Sequence, residues 1–504
     1  MGKQIKFGVI LTYISTFINI IAGLLITPIT LRLFGQAEYG LYTLAMSVMG
    51  MLFLFDFGFS NAIVKYVSQF KERDNKKDFE NINAMFLILY TIIGVIAFSF
   101  GMFAATGADK IFSNGLTLEE IDKFKIMLQI VAVTLGISFP LKLFNGIIIA
   151  HEKFIFNKLI TVVRFITNPI ITVTILFMGF SSIGVLIAIS IVNFLLSLID
   201  VYYCFVILKT KIKLHKFDFK LMKEISMYSL WVFIASLADF IYSRTDMFIL
   251  GALVNTAAVA IYNVAEVING LYTKLTMVLS GFFLPRLVQM VSKNVSNHEL
   301  TNMFIKVSRI QFLLAALVLT GFALVGNEFI VIWAGVDYVL AYWVALLVMS
   351  SRFIPVVQVL ATSILQAKNK HAFQSKLYLG VAILNLAISI PLALTYGVIG
   401  VAIGTLIGKI INTIVMNFNY AKVGIEMKRY FKEVFVLFIP MTLVFIIGVI
   451  LKRILSVTTW FDILVFSLLL TAFYGGIMFR YFMNRSEKDM LVKPLKRMVL
   501  RKAS

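Results

Sequence analysis

Charged side chains within long apolar segments are the residues of this sequence that could do chemistry. A charge at the centre of a bilayer costs roughly 2.5–3.5 kcal/mol on insertion scales, so we expect each one to face a cavity, a ligand or a partner. The carboxylates in such positions are Asp56, Asp239, Asp246 and Glu266, and the cations are Lys142, Arg164, Arg244, Lys274, Arg352 and Lys409. Carboxylates suit proton or cation binding, whereas the planar fork of an arginine suits the oxygens of a phosphate.

A continuous polar stripe follows one face of the segment 257–284. At 100° per residue its members point the same way. They are Tyr262, Glu266, Asn269, Thr273, Thr276 and Ser280. Such a stripe cannot face lipid, so we expect it to line a cavity. The matching face of the segment 41–66 carries Tyr42 and Asp56 among apolar residues.

Two further segments place polar groups in helical register. The segment 7–33 carries Asn19 on a threonine-rich face, and the segment 154–179 carries Arg164 and Asn168 on one face. The candidate ligand-binding residues are Asn19, Tyr42, Asp56, Lys142, Arg164, Asn168, Arg244, Tyr262, Asn269, Lys274, Arg352 and Lys409. The candidate ion-coupling residues are Asp239, Asp246 and Glu266.

Structural roles are the alternative for these residues. An ion pair or interhelical hydrogen bond would equally stabilise an intramembrane charge, and lysines could extend to the interface instead. Arg309 lies near a segment end, where we expect interfacial anchoring.

The amino-acid composition indicates whether the chain lies in water or in a membrane. Its 504 residues are 60% hydrophobic and only 14% charged, which is typical of a helical membrane protein. The net charge of +21 lies in short clusters between apolar segments, which argues against nucleic-acid binding. A single cysteine, Cys204, excludes an internal disulfide, and the four histidines show no ligand spacing, so no metal is expected.

The elements that must position these charges are fourteen predicted membrane-spanning helices in an all-α fold. They lie at residues 7–33, 41–66, 84–105, 126–150, 154–179, 183–208, 227–251, 257–284, 307–333, 337–366, 374–396, 398–420, 433–451 and 460–482. Most Lys and Arg residues lie on the side of the N-terminus, so the positive-inside rule predicts that both termini are cytoplasmic. Lys452 and Arg453 lie on the opposite side and run against this rule.

An internal repeat relates the two halves of the chain. The opening stretch recurs, weakened, after about 220 residues, and Ile183-Gly-Val-Leu-Ile is echoed by Ile399-Gly-Val-Ala-Ile. Six spans return the chain to the side of the membrane where it started, so the two repeats have the same orientation. Parallel repeats of this kind occur in transporters whose two halves rock around a site at the membrane midplane. The predicted domains are an N-lobe (1–208), a basic linker (209–226), a C-lobe (227–420), two added helices (421–482) and a basic tail (483–504).

Three motifs near the N-terminus carry a family resemblance. They are Phe34-Gly-x-x-Glu38-Tyr-Gly-Leu-Tyr42, Asp56-x-Gly-Phe-Ser-x-Ala and Lys65-Tyr-Val-Ser. With the two lobes and two added helices, they resemble the polysaccharide transporter family. This family includes the O-antigen and capsule repeat-unit flippases of the multidrug/oligosaccharidyl-lipid/polysaccharide exporter superfamily.

The resemblance implies a flippase in the bacterial cytoplasmic membrane. Its substrate would be an undecaprenyl-pyrophosphate-linked oligosaccharide for O-antigen (lipopolysaccharide), capsule or exopolysaccharide. Transport would be coupled to H⁺ or Na⁺ with no other cofactor, and a polysaccharide polymerase and chain-length machinery are the implied protein partners.

Two other functional classes compete with this one. A cation-coupled multidrug antiporter of the same superfamily should have a more acidic and aromatic cavity and usually has twelve helices. A membrane enzyme needs an acidic catalytic cluster or a substantial outer loop, whereas the outer loop at about 105–125 has acids but neither His nor Arg. ATP-driven transport is excluded by the absence of a phosphate-binding Gly-x-x-x-x-Gly-Lys-Ser/Thr loop from the sequence. We therefore predict that the protein is not an enzyme.

Overall fold

The computed structural model describes residues 2–72, 75–368, 370, 372–484 and 487–488. Within its helices, the side chains of residues 2–15, 19, 231, 235, 238–239, 241–244, 278–282, 284 and 372 are not described. The predicted all-α class is confirmed, because the described residues form helices joined by short turns and no strand.

The helices are numbered in chain order. They are α1 (Gly2–Phe34), α2 (Gln36–Leu52), α3 (Phe59–Glu72), α4 (Lys76–Phe112), α5 (Leu118–Ala150), α6 (Phe154–Phe177), α7 (Ser182–Tyr202), α8 (Phe219–Leu253), α9 (Thr256–Ser292), α10 (Asn297–Trp333), α11 (Leu340–Val357), α12 (Val359–Ala367), α13 (Ala372–Lys422), α14 (Met427–Val434), α15 (Phe438–Ile454) and α16 (Trp460–Ile477). Short 3₁₀ turns lie at Phe53–Asp56, Val336–Tyr338 and Phe435–Leu437, and π-helical turns lie at Tyr203–Ile207 and Met478–Phe482.

Polar caps and glycines set the ends of these helices. Thr117 and Glu120 form a reciprocal capping box at the start of α5, and Asp218 accepts from the backbone N–H of Leu221 at the start of α8. Such caps satisfy N–H groups that have no partner within the helix. Gly35 joins α1 to α2 with a φ of 74°, a conformation that glycine adopts without a steric penalty.

Within the described ranges, eleven helical segments are long and apolar enough to cross a membrane. One of them, Phe373–Lys422, contains two of the predicted spans, because Gly397 interrupts α13 with a φ of 57° and a ψ of −132°. The predicted spans 227–251 and 257–284 lie within α8 and α9. The number fourteen itself stays a prediction.

The predicted single segment 41–66 is broken in the structure. Helix α2 ends in the 3₁₀ turn at Phe53–Asp56, and α3 begins only after Phe57 and Gly58, both of which have positive φ. The predicted segment 337–366 is likewise divided, at Gln358, into α11 and α12.

The chain divides into two compact units. The first holds Met1–Asn263 and Ile390–Val401, and in it α4 pairs with α5, α1 packs on α6, and α8 packs against α2 and α3. The second holds Val264–Ser389 and Ala402–Ser504, and its central helix, α10, packs against α11, α14, α15 and α16. The lobe boundaries drawn from the repeat stay a prediction.

Candidate functional site

The carboxylate of Asp56 is the centre of a polar network in the first unit. Its oxygens accept hydrogen bonds from the backbone N–H of Ser60 at 3.2 Å, the Ser60 hydroxyl at 2.9 Å and the Tyr90 hydroxyl at 3.1 Å. The ammonium of Lys142 lies 3.3 Å from Asp56 Oδ1 and forms an ion pair with it. The network therefore joins α3, α4 and α5 to the turn that ends α2.

Aromatic rings flank the same ammonium. Lys142 Nζ lies 4.8 Å from the ring centroid of Phe53 and 4.7 Å from that of Phe139, close enough for cation–π attraction to both rings. The Lys142 side chain is still 28% exposed, and that of Asp56 is 16% exposed. Two predicted ligand-binding residues thus neutralise each other while the lysine keeps an open side.

A second ion pair lies in the other unit. Arg352 Nη2 donates to both carboxylate oxygens of Glu266 at 2.9 Å, linking α11 to α9. Arg352 was predicted to bind ligand and Glu266 to couple ions, and the structure brings the two together.

Helices α6 and α7 carry several buried polar atoms, among them a guanidinium nitrogen. Among the described side chains, buried polar atoms without a hydrogen-bond partner include Arg164 Nε, Thr167 Oγ1, Asn168 Oδ1, Asn193 Oδ1 and Asp200 Oδ1. All five lie on these two helices, which pack against each other. Unsatisfied buried polar groups are rare in folded proteins and need a specific explanation.

The charges of this polar group are not tightly paired. Asp200 is only 3% exposed and interacts electrostatically with Arg164, but the two form no ion pair within 4.0 Å among the described contacts. The guanidinium therefore retains donor capacity for an anion. Asp200, Asn193 and Thr167 were missed by the sequence interpretation; a carboxylate within the apolar segment 183–208 was the available signal for Asp200.

Asp246 and Tyr262 also meet within the first unit. The Tyr262 hydroxyl donates a hydrogen bond to the Asp246 carboxylate, and the side chains are only 2% and 4% exposed, respectively. The predicted ion-coupling residue Asp246 is therefore held between α8 and α9.

The remaining candidates have varied surroundings. Tyr42 stacks on Phe34, with ring centroids 5.3 Å apart, and Asn269 is fully buried with its Nδ2 donating to the carbonyl of Ala265. Lys409 is buried within α13, whereas Lys274 is exposed on α9. The predicted side chains of Asn19, Asp239 and Arg244 lie outside the described residues.

The glutamate of the first sequence motif has a structural partner. Glu38 Oε1 accepts hydrogen bonds from the backbone N–H of Ser182 at 3.1 Å and from its hydroxyl at 2.5 Å. Lys123 lies 3.6 Å from the other oxygen. Glu38 thus ties the start of α2 to the start of α7, where a negative charge complements the helix dipole.

A polar cavity of about 360 Å³ opens where α3, α4 and α8 meet, and it contains none of the predicted site residues. Its wall includes Tyr66, Asp78, Asn81, Asp218 and Glu224. Asn81 also holds the segment before α8, since its Oδ1 accepts from the backbone N–H groups of His215 and Lys216.

Sequence comparison relates the chain to proteins of glycan biosynthesis. The family described as "Polysaccharide biosynthesis protein" matches residues 5–287. A curated relative from Haloferax volcanii, named "Probable low-salt glycan biosynthesis flippase Agl15", is 22% identical over 226 residues, which are 45% of this chain and 48% of the relative. The chain thus aligns with about half the length of this curated relative.

Two solved structures share the fold. The lipid II flippase MurJ in an inward closed conformation has a TM-score of 0.75 and 17% identity, covering 94% of this chain and 99% of MurJ. An inward-facing multidrug resistance MATE family transporter of the MOP superfamily has a TM-score of 0.61 and 17% identity, covering 82% of this chain and 96% of the transporter. At these identities the likeness establishes the fold alone.

Proposed function

Because the chain belongs to the polysaccharide biosynthesis protein family, we propose that it is a flippase for a lipid-linked oligosaccharide. The family match confirms the resemblance predicted from the motifs. The proposed substrate is an undecaprenyl-pyrophosphate-linked repeat unit, which moves from the inner to the outer leaflet of the bacterial cytoplasmic membrane. The relative named as a glycan biosynthesis flippase supports this class of substrate, and the fold shared with MurJ is compatible with it.

The polar group on α6 and α7 is the observation that carries the proposal. It offers a guanidinium donor, Arg164 Nε, and four oxygens that can accept hydrogen bonds, which belong to Thr167, Asn168, Asn193 and Asp200. A sugar phosphate is complementary to these side chains. The phosphate oxygens accept hydrogen bonds from arginine, and the sugar hydroxyls donate hydrogen bonds to the acceptor oxygens. We assign Arg164 to the pyrophosphate and Asn168 to the adjacent sugar.

Alternating access of the two lobes is the proposed mechanism. The head group enters from the cytoplasm, and its charge is held inside the membrane while the lipid tail remains in the bilayer. Coupling to H⁺ or Na⁺ at Asp239, Asp246 or Glu266 biases the lobes toward the outward state, since a ligand shifts an equilibrium only by binding the two states differently. Surface polysaccharide synthesis would then consume the product through a polymerase and its chain-length partners.

A cation-coupled multidrug antiporter is the second candidate, because a MATE transporter shares the fold. An antiporter of this kind needs acidic groups for an organic cation. Here the carboxylate of Asp56 is paired with Lys142 and that of Glu266 with Arg352. Neither of these two carboxylates is therefore free to bind an organic cation.

The first test is the sidedness of lipid-linked glycan in cells depleted of the protein. We expect a complete repeat unit to accumulate on its lipid, inaccessible to an impermeant lectin on spheroplasts. Normal outer-leaflet glycan together with altered sensitivity to cationic drugs would instead support the antiporter.

Arg164 variants then test the assigned site in complemented cells. Arg164→Gln should lower translocation about 10–100-fold, as expected for loss of a hydrogen bond to a charged group. Arg164→Lys should retain part of the activity, because the charge is kept and the fork is lost. Lys158→Gln on the same helix is the control and should translocate normally. Equal activity of Arg164→Gln and the control would remove Arg164 from the site.

A further inference from the structure

The break between α2 and α3 lies in the middle of the candidate span Gln36–Glu72. Phe57 has a φ of 48° and a ψ of 22°, and Gly58 follows with a φ of 78°. Two consecutive residues with left-handed backbone redirect the chain inside the apolar segment. Non-helical backbone at membrane depth persists only where protein or a water-filled cavity surrounds it, so this break must be held by its neighbours.

Helix α8 packs directly on one side of the break. A Cβ atom at Gly58 would lie 2.7 Å from Val232 Cβ and 2.9 Å from the carbonyl oxygen of Ser229. The ring of Phe57 lies 4.9 Å from that of Phe233, centroid to centroid. Glycine is thus required at position 58 both by its backbone conformation and by the close approach of α8.

The Asp56 carboxylate bridges the break from the other side. It precedes Phe57 and Gly58 in the chain and accepts from both the backbone N–H and the hydroxyl of Ser60, which follows them. The same carboxylate is tied to α4 by Tyr90 and to α5 by Lys142. Asp56 therefore fixes the direction of α3 relative to α2 and to the α4–α5 pair.

We propose that residues 56–58 form a hinge in the second membrane segment and that the Asp56–Lys142 ion pair is the latch that holds its bend. Hinges are short terminal segments that absorb backbone changes between rigid helices, which is the arrangement at α2 and α3. Both side chains are partly exposed, so water or an anion that binds Lys142 would compete with Asp56 and open the latch. When the ion pair breaks, α3 stays bonded to Asp56 through Ser60, but the hinge is no longer tied to α5.

The hinge is a property of the fold and does not depend on the identity of the transported molecule. Its test is a distance measured across the break in purified protein in lipid nanodiscs. Spin labels replace the exposed side chains Met46 on α2 and Gln69 on α3, in a background carrying Cys204→Ala. Double electron–electron resonance then gives the distribution of distances between the two labels, which reports the bend.

Removal of the latch should change this distribution. Lys142→Gln should add a second distance population displaced from the parent, whereas Lys142→Arg, which keeps the ion pair, should retain the parent peak. Tyr90→Phe removes one hydrogen bond but leaves the ion pair, so it should also keep the parent peak. Elution of each variant as a single species in size-exclusion chromatography checks that the protein is folded.

Unchanged distances in Lys142→Gln would show that the Asp56–Lys142 ion pair does not hold the bend. If the same variant also lost glycan translocation, Lys142 would contact the transported head group instead, and the proposed function would stand. Conversely, a displaced distance population with normal glycan sidedness in depleted cells would support the hinge while removing the proposed substrate.

Discussion

Several charges within the apolar segments of this protein are neutralised by partners. Lys142 offsets Asp56, and Arg352 offsets Glu266, each across two different helices. A charge within an apolar segment needs a cavity or a partner, and these four residues have partners. Arg164 differs, because its Nε has no hydrogen-bond acceptor among the described residues.

The Glu266–Arg352 pair can be tested by a double-mutant cycle. Glu266→Gln and Arg352→Gln should each lower the unfolding temperature in detergent, because each removes the ion pair between α9 and α11. The double variant should lose less than the sum of the two, with a coupling energy of about 1–3 kcal/mol. Additive losses would show that the two side chains do not stabilise each other.

At the residue scale, the sequence predicts which charged residues need a partner, but not which residue the partner is. The energetic cost of intramembrane charge identified Asp56, Lys142, Glu266 and Arg352 from their apolar surroundings. Pairing depends on which helices are neighbours and on helix rotation, neither of which periodicity determines. Tyr90, which donates to Asp56, carries no charge and so gave no signal in its apolar segment.

At the scale of elements, the start of α2 is a packing site rather than an exposed turn. Gly40 lies against the start of α9, where an added Cβ would approach the carbonyl oxygen of Thr256 to 1.9 Å. The Tyr39 hydroxyl donates to Asn263 Oδ1 at 2.8 Å on the same helix. The first family motif thus encodes close contact between α2 and α9 in addition to the turn at Gly35.

Gly40→Ala should therefore destabilise the protein by about 1–3 kcal/mol, because the atom it meets belongs to backbone and cannot rotate away. Gly107→Ala in α4 is the matched control, since no atom lies within 4 Å of the added Cβ. Replacing a helical glycine in open space should be neutral or stabilising by up to about 1 kcal/mol. Unfolding in detergent measures both, and equal losses would argue against the close contact.

Helix breaks were only partly predictable. The boundary between the predicted spans 374–396 and 398–420 coincides with Gly397, where the backbone leaves the helical conformation. The break at Phe57 and Gly58 was missed, because the apolar residues around Asp56 continue on both sides of it and glycine alone does not end a helix. That break depends on Asp56 accepting from Ser60 and on α8 packing against Gly58, which are contacts between elements.

At the scale of the molecule, Lys452, one of the two residues that run against the positive-inside rule, has a local explanation. Lys452 forms an ion pair with Glu328, 2.8 Å from its Oε1, and its ammonium also donates to the carbonyl of Leu324. Its charge is therefore stabilised by α10 rather than by a membrane face. The predicted orientation remains consistent with the other basic clusters.

Cysteine accessibility tests that orientation in whole cells. In the Cys204→Ala background, a cysteine at Asn114 should react with an impermeant maleimide from outside. A cysteine at Lys211, which is exposed in the segment before α8, should react only after the membrane is permeabilised. The opposite pattern would reverse the assigned topology.

Arg309 gives the chain an order of assembly. The sequence suggested interfacial anchoring, but its guanidinium is 5% exposed and donates to the Glu487 carboxylate at 2.6 Å and to the backbone carbonyls of Glu433 and Phe482. Glu487 is synthesised 178 residues after Arg309. Until then the arginine of α10 has no counter-charge and must remain hydrated, so burial of this corner is among the last steps of biogenesis. The ribosome must pass Glu487, beyond the end of α16, before α10 can be buried at this corner.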